Sequence, residues 1–462
     1  MSLKTESLAL MCEAVVDCPH STPVWTKSGY VVLRNQNIKD GRLDLSDPSF
    51  TDEEHFKQRI RRMAPRPGDI VITREAPMGE VCKIPEGLTC CLGQRQVLLR
   101  PKADVDADYL LYALQSPFVQ NQVRWNEGTG STVSNIRIPV LEKIEIPRHD
   151  QAETKIAKAL GSLDSKIDLN RRINRTLEAM AQAIFKSWFV DFDPVKAKIT
   201  AIEQGQDPLR AAMRTISGKS DAELDQIPRE QHDQLAATAA LFPDSMQESE
   251  LGEIPKGWAT SALGSVTDYL NRGISPKYLE NGGVLVLNQK CIRDFRVDES
   301  KGRRHDPTQR KIDGRALELG DVLVNSTGVG TLGRVAQVLY LSELTIVDSH
   351  VTVVRASHQL NASYLGQYII WKHPDIEAMG DGSTGQTELS RAKLSELPVL
   401  TPRENILKAF DNLISPLNNE ISVNDRESVK LTELRGILLP KLLSGELSVS
   451  DVSKLSSTAG AA

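Results

Sequence analysis

The sequence predicts an α+β protein written twice. Two similar mixed α/β domains are separated by two long helices that pair antiparallel as a coiled coil, with a pseudo-two-fold internal duplication. Three observations predict this. Matching segments recur 250–255 residues apart in one order. Val- and Ile-rich runs bounded by turn residues appear in both copies. A heptad spacing runs through the stretch after each copy.

The repeat is read directly. GYVVLRNQNI (29–38) matches GVLVLNQKCI (283–292), and Gly68-Asp69-Ile70-Val71 matches Gly320-Asp321-Val322-Leu323. Tyr109-Leu110 matches Tyr364-Leu365, LEKIEIP (141–147) matches LSELPVL (394–400), and KALGSLDSKI (158–167) matches KAFDNLISPL (408–417). The small changes in offset fall at loops, where insertions are tolerated.

Within each copy, short apolar runs read as strands at 30–33, 70–72, 95–99, 284–287, 322–324 and 350–354. Gly-Asp before Ile70 and Val322 reads as a tight turn entering a strand. Residues 107–125 and 361–379 read as helices, each followed by a Gly/Ser/Thr loop, 128–132 and 382–386.

In the first long helix one core row is Ile156, Leu163, Asn170, Leu177 and Ile184, and the other is Leu160, Ile167, Asn174, Ala181 and Trp188. In the second the rows are Ile406, Leu413, Glu420, Glu427, Leu434 and Phe410, Leu417, Asn424, Leu431, Leu438. Each seam turns polar in its middle third. Polar groups at core positions fix register at a cost in stability, which assigns that role to Asn170, Asn174 and Asn424. The plainer alternative is two amphipathic helices, each packed on its own neighbouring domain.

The domain reading is 1–147, a first mixed domain; 148–192, a helix; 193–255, an acidic linker; 256–402, a second mixed domain; 403–447, a second helix; and 448–462, a flexible tail. The linker reads as a partly ordered connector with helical stretches at 209–216 and 230–240.

The chain of 462 residues is long enough for several cores, and 40% hydrophobic with 25% charged residues describes a soluble globular protein. No apolar run reaches the length of a membrane span, and the N-terminus lacks the pattern of a signal peptide, so a cytoplasmic location is expected. The six scattered cysteines read as reduced packing residues, with no zinc-ligand spacing. Net charge is −5 but unevenly spread: residues 201–255 hold 4 basic against 11 acidic side chains, whereas 55–100 hold 9 against 4 and 272–315 hold 11 against 6. Two basic regions flanking an acidic one suit phosphate binding at two places, or are ordinary solvated surface.

Catalytic signatures are missing. No Pro-Pro occurs, which an adenine-methylating loop needs, and Gly218-Lys219-Ser220 has Met213 where a phosphate loop needs glycine. Pro243-Asp244 and Pro374-Asp375 are not followed by the acidic-x-Lys of a metal-dependent nuclease. His350 after Asp348-Ser349 resembles a triad by composition only.

LNRRINRTLEAMAQAIFKSWFVDFDPVKAK (169–198), ALFPDSMQESELGEIPKGW (240–258) and LLPKLLSGEL (438–447) resemble, in combination and order, the conserved regions of type I restriction-modification specificity subunits. The resemblance covers the whole chain. It implies a non-catalytic protein with two target-recognition domains, each binding one half of a split, asymmetric target on double-stranded DNA. It implies partnership with two modification (methyltransferase) subunits and two restriction (helicase-nuclease) subunits. It implies no cofactor bound directly, with S-adenosylmethionine, ATP and Mg²⁺ belonging to those partners. A helix of about 40 residues would span roughly 60 Å, more than one DNA turn of about 34 Å.

Phosphate contacts are expected from Lys57, Arg59, Arg61 and Arg62 and from Lys301, Arg303 and Arg304, cationic clusters in expected loops. Base contacts are expected from Gln94, Arg95 and Gln96, and from Asn288, Gln289, Lys290, Asn325 and Gln386, because Arg suits guanine and Asn or Gln suits adenine. Phe185, Trp188, Phe189 and Phe192 exceed what a narrow seam buries; they pack on the adjacent domain or dock a partner subunit, and docking is the role assigned. No metal ligands are expected. The competing readings are a self-contained DNA-modifying enzyme and a coiled-coil scaffold with no DNA role.

Overall fold

The computed structural model describes residues 3–125, 135–380 and 388–451. It forms two compact units, one of residues 1–170 with 426–462 and one of residues 171–425. Two long helices, Glu153–Phe189 and Glu404–Ser444, contribute to both.

In the first unit, strands β1 (Cys12–Asp17), β2 (Tyr30–Leu33), β3 (Ile70–Arg74), β4 (Met78–Lys83), β5 (Cys90–Leu92) and β6 (Gln96–Pro101) carry the fold. An antiparallel sheet runs in the order β1-β6-β3-β4. A smaller sheet pairs β2 with β5 in parallel and with Ser49–Thr51 antiparallel. Helix α1 (Glu53–Arg59) follows that last strand, with the Asp52 carboxylate accepting from the His55 amide at its start. The expected 107–125 helix is two, α2 (Ala107–Gln115) and α3 (Pro117–Trp125). Ser116 is extended, as the residue before a proline prefers, and Pro117 opens the second helix.

In the second unit, the first long helix is followed by material expected to be only partly ordered. It holds α4 (Asp193–Glu203), α5 (Pro208–Ser217), α6 (Asp221–Leu224) and α7 (Arg229–Leu241), with a small core of Ala212, Met213, Leu224 and Ala239. Arg210 and Arg214 both bind Asp221, so part of the acid content is spent on internal pairs. The linker is therefore folded, helical over 193–241 and then an antiparallel pair of Met246–Ser249 with Gly252–Pro255. Its helices are short and its core holds few large side chains, so composition reads as a connector.

The mixed domain that follows repeats the first. Strands β7 (Thr267–Arg272), β8 (Val284–Leu287), β9 (Arg303–His305), β10 (Val322–Asn325), β11 (Val335–Gln337), β12 (Thr345–Val347) and β13 (Val351–Ala356) give an antiparallel sheet β7-β13-β10-β11. A second sheet pairs β8 with β12 in parallel and with β9 antiparallel. Helices α8 (Ala362–Trp371) and α9 (His373–Ala378) replace the single expected 361–379 helix, with Pro374 at the break.

The same polar ties recur in both copies. Gly68 and Gly320 take positive φ (88° and 93°), entering β3 and β10 as expected. The next residue, Asp69 or Asp321, is almost fully buried and forms a two-point ion pair with Arg100 (2.9 and 2.7 Å) or Arg355 (2.7 and 2.8 Å). Buried Tyr109 donates to the Pro147 carbonyl at 2.7 Å, and buried Tyr364 to the Leu400 carbonyl at 2.7 Å. Burial pushes both phenols upward in pKa, so they remain neutral donors.

In the first unit, Ile156, Leu160, Leu438, Leu439, Leu442 and Leu443 from the two long helices share one core with α2. In the second unit the core is aromatic. Phe189 lies 4.9 Å from Tyr364 and 5.0 Å from Phe410 between ring centres, and Trp188 lies 4.9 Å from Phe242. All six cysteines are free and buried, and among the described residues no helix is long and apolar enough to cross a membrane.

Candidate nucleic-acid interface

The long helices run antiparallel within each unit, because rising numbers on one meet falling numbers on the other. In the first unit Asp164 meets Arg435 (2.7 Å) and Asn170 meets Glu427 (2.7 Å). In the second, Asn424 donates to the Asn174 side-chain oxygen at 2.9 Å, and Asn174 donates to Asp425 at 2.8 Å. Asn170, Asn174 and Asn424 are all buried. Hydrogen bonds from Asn170 and Lys166 hold the Glu427 carboxyl below the usual range.

One of the two rows assigned to the second helix needs correction. Phe410, Leu417, Asn424, Leu431 and Leu438 face inward to varying degrees, but Leu413 is 41% and Leu434 42% exposed, and Glu420 is exposed. The inward partners are Ile414, Ile421 and Leu442, one position further on in the heptad, with the part-buried Ser428 and Arg435 filling the same row. Those two polar members hide the row from a search for apolar residues.

Two arginines missed by the sequence reading hold the mixed domains to the helices. Arg42 binds Asp164 (2.8 Å) and Asp168 (2.9 Å). Arg296, at the equivalent position of the second copy, binds Glu178 and Asp425, one carboxylate from each helix. Burial raises the pKa of both those carboxyls, and Arg296 opposes the rise. The signal was present: each arginine stands four residues after the isoleucine that closes the repeated motif, Ile38 or Ile292.

The cationic candidates divide by location. Lys57 is exposed on α1, paired with Glu53 at 2.7 Å. Arg61 is exposed, and exposed Arg62 reaches the Asp17 carbonyl at 3.2 Å. Arg59 is 6% exposed and donates to the carbonyls of Leu92 (2.8 Å), Gly93 (3.0 Å) and Ser21 (3.1 Å), so it braces the interior instead of presenting charge. In the second copy Lys301 pairs with Asp298 (2.7 Å), Arg304 pairs with Glu343 (2.6 Å), and Arg303 stacks over the Tyr278 ring at 3.3 Å. These residues sit on a helix and a strand as well as in loops: α1 carries Lys57 and Arg59, and β9 carries Arg303 and Arg304.

Among the base candidates, Gln96 and Asn325 are completely buried. Gln96 accepts from the Gly93 amide (3.1 Å) and donates to Asn35 (3.2 Å), while Asn325 donates to the Gln289 carbonyl (3.1 Å). Both are interior ties, corrected from expected surface readers. Their strands are buried on both faces, which a short polar run does not reveal. Asn288 accepts from the Lys290 amide at 2.9 Å and caps the turn that follows β8. Gln289 donates to the Thr327 carbonyl and hydroxyl, both at 2.7 Å. Lys290 is exposed. Gln94 and Arg95 line a polar hollow of about 220 Å³ with His20, Arg74 and Glu75. Gln386 and the loop at 128–132 lie outside the described residues.

The docking assignment for the aromatics is also corrected. Phe185, Trp188 and Phe189 are at most 4% exposed, and Phe192 packs against Trp258 at 6.0 Å. The second unit's own core covers Phe185, Trp188 and Phe189, which offer no surface to a partner, and Phe192 is half-buried against the same core.

Comparisons with known proteins agree with this architecture. The family model for the type I restriction modification DNA specificity domain matches residues 21–179. The specificity subunit of the type I restriction enzyme HindI from Haemophilus influenzae is 29% identical over 343 residues, covering 69% of this chain and 71% of that one. The MjaIX specificity subunit from Methanocaldococcus jannaschii is 25% identical, covering 87% and 82%. The crystal structure of the S subunit of a type I restriction-modification system from M. genitalium shares the fold, with a TM-score of 0.51 over 96% of each chain at 16% identity.

Proposed function

We propose that this chain, which belongs to the type I restriction-modification specificity-subunit family, is the DNA-reading subunit of a restriction-modification complex. Each mixed domain binds one half of a bipartite, asymmetric target on double-stranded DNA. The observation that carries this reading is the duplicated fold with unlike surfaces. One backbone frame is built twice with the same internal ties, while its surface differs: exposed Gln36 stands in the repeat where the other copy has exposed Lys290. One scaffold carrying two sets of side chains suits a target with two different halves.

In this reading the surface cations Lys57, Arg61, Arg62, Lys301 and Arg303 neutralise phosphates and set position, and Gln94, Arg95, Asn288, Gln289 and Lys290 stand close to base edges. The Asn174–Asn424 contact, with Asn170, specifies helix register, because a slipped pairing would strand buried amides. The helices give a platform to two modification subunits that carry S-adenosylmethionine and methylate adenine, and two restriction subunits supply ATP- and Mg²⁺-dependent translocation and cleavage. This chain contributes recognition and no reaction step.

The test is to replace residues 1–147 with the corresponding domain of another specificity subunit and map methylated adenines with the full set of subunits. Change in one half of the target alone is the expected result; change in both halves, or in neither, refutes the assignment. Robust turnover of DNA by the pure chain with Mg²⁺ or methyl donor would favour a self-contained enzyme. Binding without salt dependence or sequence preference would favour a scaffold.

A further inference from the structure

The two sheets can be superposed residue by residue from their pairing, without reference to how the units are arranged. Gln96 of β6 faces Thr73 of β3, and Val351 of β13 faces Asn325 of β10. One residue beyond, the Arg74 amide donates to the Arg95 carbonyl at 2.8 Å, and the Ser326 amide donates to the His350 carbonyl at 2.8 Å. The Arg74 carbonyl then accepts from Ile136 (3.1 Å) and the Ser326 carbonyl from Leu389 (2.8 Å). Gly93 donates to Leu33, and Asp348 to Leu287, at 2.8 and 2.9 Å. Next in chain after Arg74 and Ser326, the carbonyls of Glu75 and Thr327 accept from the side-chain amides of Asn35 (2.5 Å) and Gln289 (2.7 Å). Arg95 therefore corresponds to His350, and Glu75 to Thr327.

At both places the two corresponding side chains touch. Arg95 Nε lies 3.5 Å from Glu75 Oε2, and Thr327 Oγ1 lies 2.8 Å from His350 Nδ1. Both Arg95 and His350 are exposed, while the carbonyls behind them are tied down. Arg95 is held at φ 68°, a left-handed conformation uncommon for any residue other than glycine, and such conformations cluster at functional sites. The frame is shared and the chemistry differs: a guanidinium beside a carboxylate in one copy, an imidazole beside a hydroxyl in the other.

The Thr327 hydroxyl is held from two sides, by Gln289 and by His350. Gln289 Nε2 donates to the Thr327 carbonyl, so it is the amide nitrogen, and it also donates to Thr327 Oγ1. Thr327 Oγ1 also hydrogen-bonds His350 Nδ1, so Nε2 is the ring nitrogen left to meet a ligand. That ring offers one hydrogen-bonding nitrogen. Arg95 offers several in a planar fork, with the Glu75 acceptor alongside.

Resting on the DNA-recognition reading above, we propose that Arg95–Glu75 and His350–Thr327 are matched specificity-determining pairs, one per half-site. Arg95 takes the O6 and N7 acceptors of a guanine, and Glu75 accepts from the cytosine amino group of the same G·C step. His350 makes a single hydrogen bond through Nε2 to a base-pair edge and discriminates less.

The experiment uses the full chain with its methyltransferase partner to enrich randomised duplexes, followed by sequencing. Three variants are compared with wild type: Arg95→Asn, which suits the left-handed backbone; the double exchange E75T/R95H; and the reverse exchange T327E/H350R. Arg95→Asn should turn a guanine preference into an adenine preference at one position, and E75T/R95H should weaken that guanine preference by about tenfold to a hundredfold. T327E/H350R should create a G·C preference in the other half-site. Thermal melting checks that each variant folds. An unchanged motif from all folded variants overturns the pairing alone, as does a folded variant that enriches nothing. A wild-type complex that enriches no motif overturns the DNA-recognition reading together with it.

Discussion

Replacing Asn424 with alanine isolates the polar centre of the helix pair. Asn424 is 5% exposed and donates to Asn174 Oδ1 at 2.9 Å. Asn174 is 2% exposed and also donates to Asp425 at 2.8 Å. The alanine removes a donor from a place water does not reach, and the orphaned oxygen stays buried. The cost of such an unmet acceptor is about 1–3 kcal/mol. In a unit of this size each kcal/mol shifts Tm by about 2–4 °C, so a loss of about 2 kcal/mol lowers the transition by about 4–8 °C. Asn174→Leu together with Asn424→Leu removes both polar groups, and its cost should be smaller than that of Asn424→Ala even with Asp425 losing a donor. The assay is a double-mutant cycle by calorimetry on the full chain. A single substitution costing under about 0.5 kcal/mol, or a double leucine variant costing more than the sum of the singles, would refute the view that the buried amides depend on each other.

Three further outcomes follow from the same geometry. Trp188→Ala should destabilise the second unit by about 3–5 kcal/mol, read by thermal melting; a stable variant that loses only partner binding would restore the docking role denied above. Arg61→Ala should weaken DNA binding for all sequences alike and lower the salt slope by about one, whereas Arg59→Ala should appear first as lost stability, because its guanidinium serves buried carbonyls. Burial raises Glu178 in the folded chain. A raised carboxyl binds its proton more tightly when folded, so its contribution is complete below the ordinary glutamate range near pH 4.3 and is lost as pH climbs through the folded value. Glu178→Gln should therefore flatten the decline of stability with rising pH just above that range, measured as the difference between urea titrations of variant and wild type; an unchanged slope would refute it.

The repeat was the most legible feature because it is a comparison of the chain with itself. It required no knowledge of contacts, and the same alignment placed the strands, the Gly-Asp turns and Tyr109 with Tyr364. It also contained Arg42 and Arg296, which went unnoticed because a lone arginine after a strand has many ordinary roles. The candidate site was less legible. Arg59, Arg61 and Arg62 are adjacent in sequence, yet one braces carbonyls inside the fold and two face solvent. Gln94, Arg95 and Gln96 divide the same way: the first two lie in the bend before β6, with Arg95 exposed, and Gln96 enters the buried strand.

The sequence by itself determined that the chain is duplicated, that each copy joins a mixed domain to a long helix, and that the helix seams are polar at their centres. These follow from spacing and local chemistry, which are properties of the chain alone. Only the tertiary structure decided which row of the second helix faces inward, that Trp188 and its neighbours are core, and that Arg95 and His350 occupy one place in two copies. Those facts depend on what packs against each side chain, and hundreds of residues separate the groups concerned along the chain.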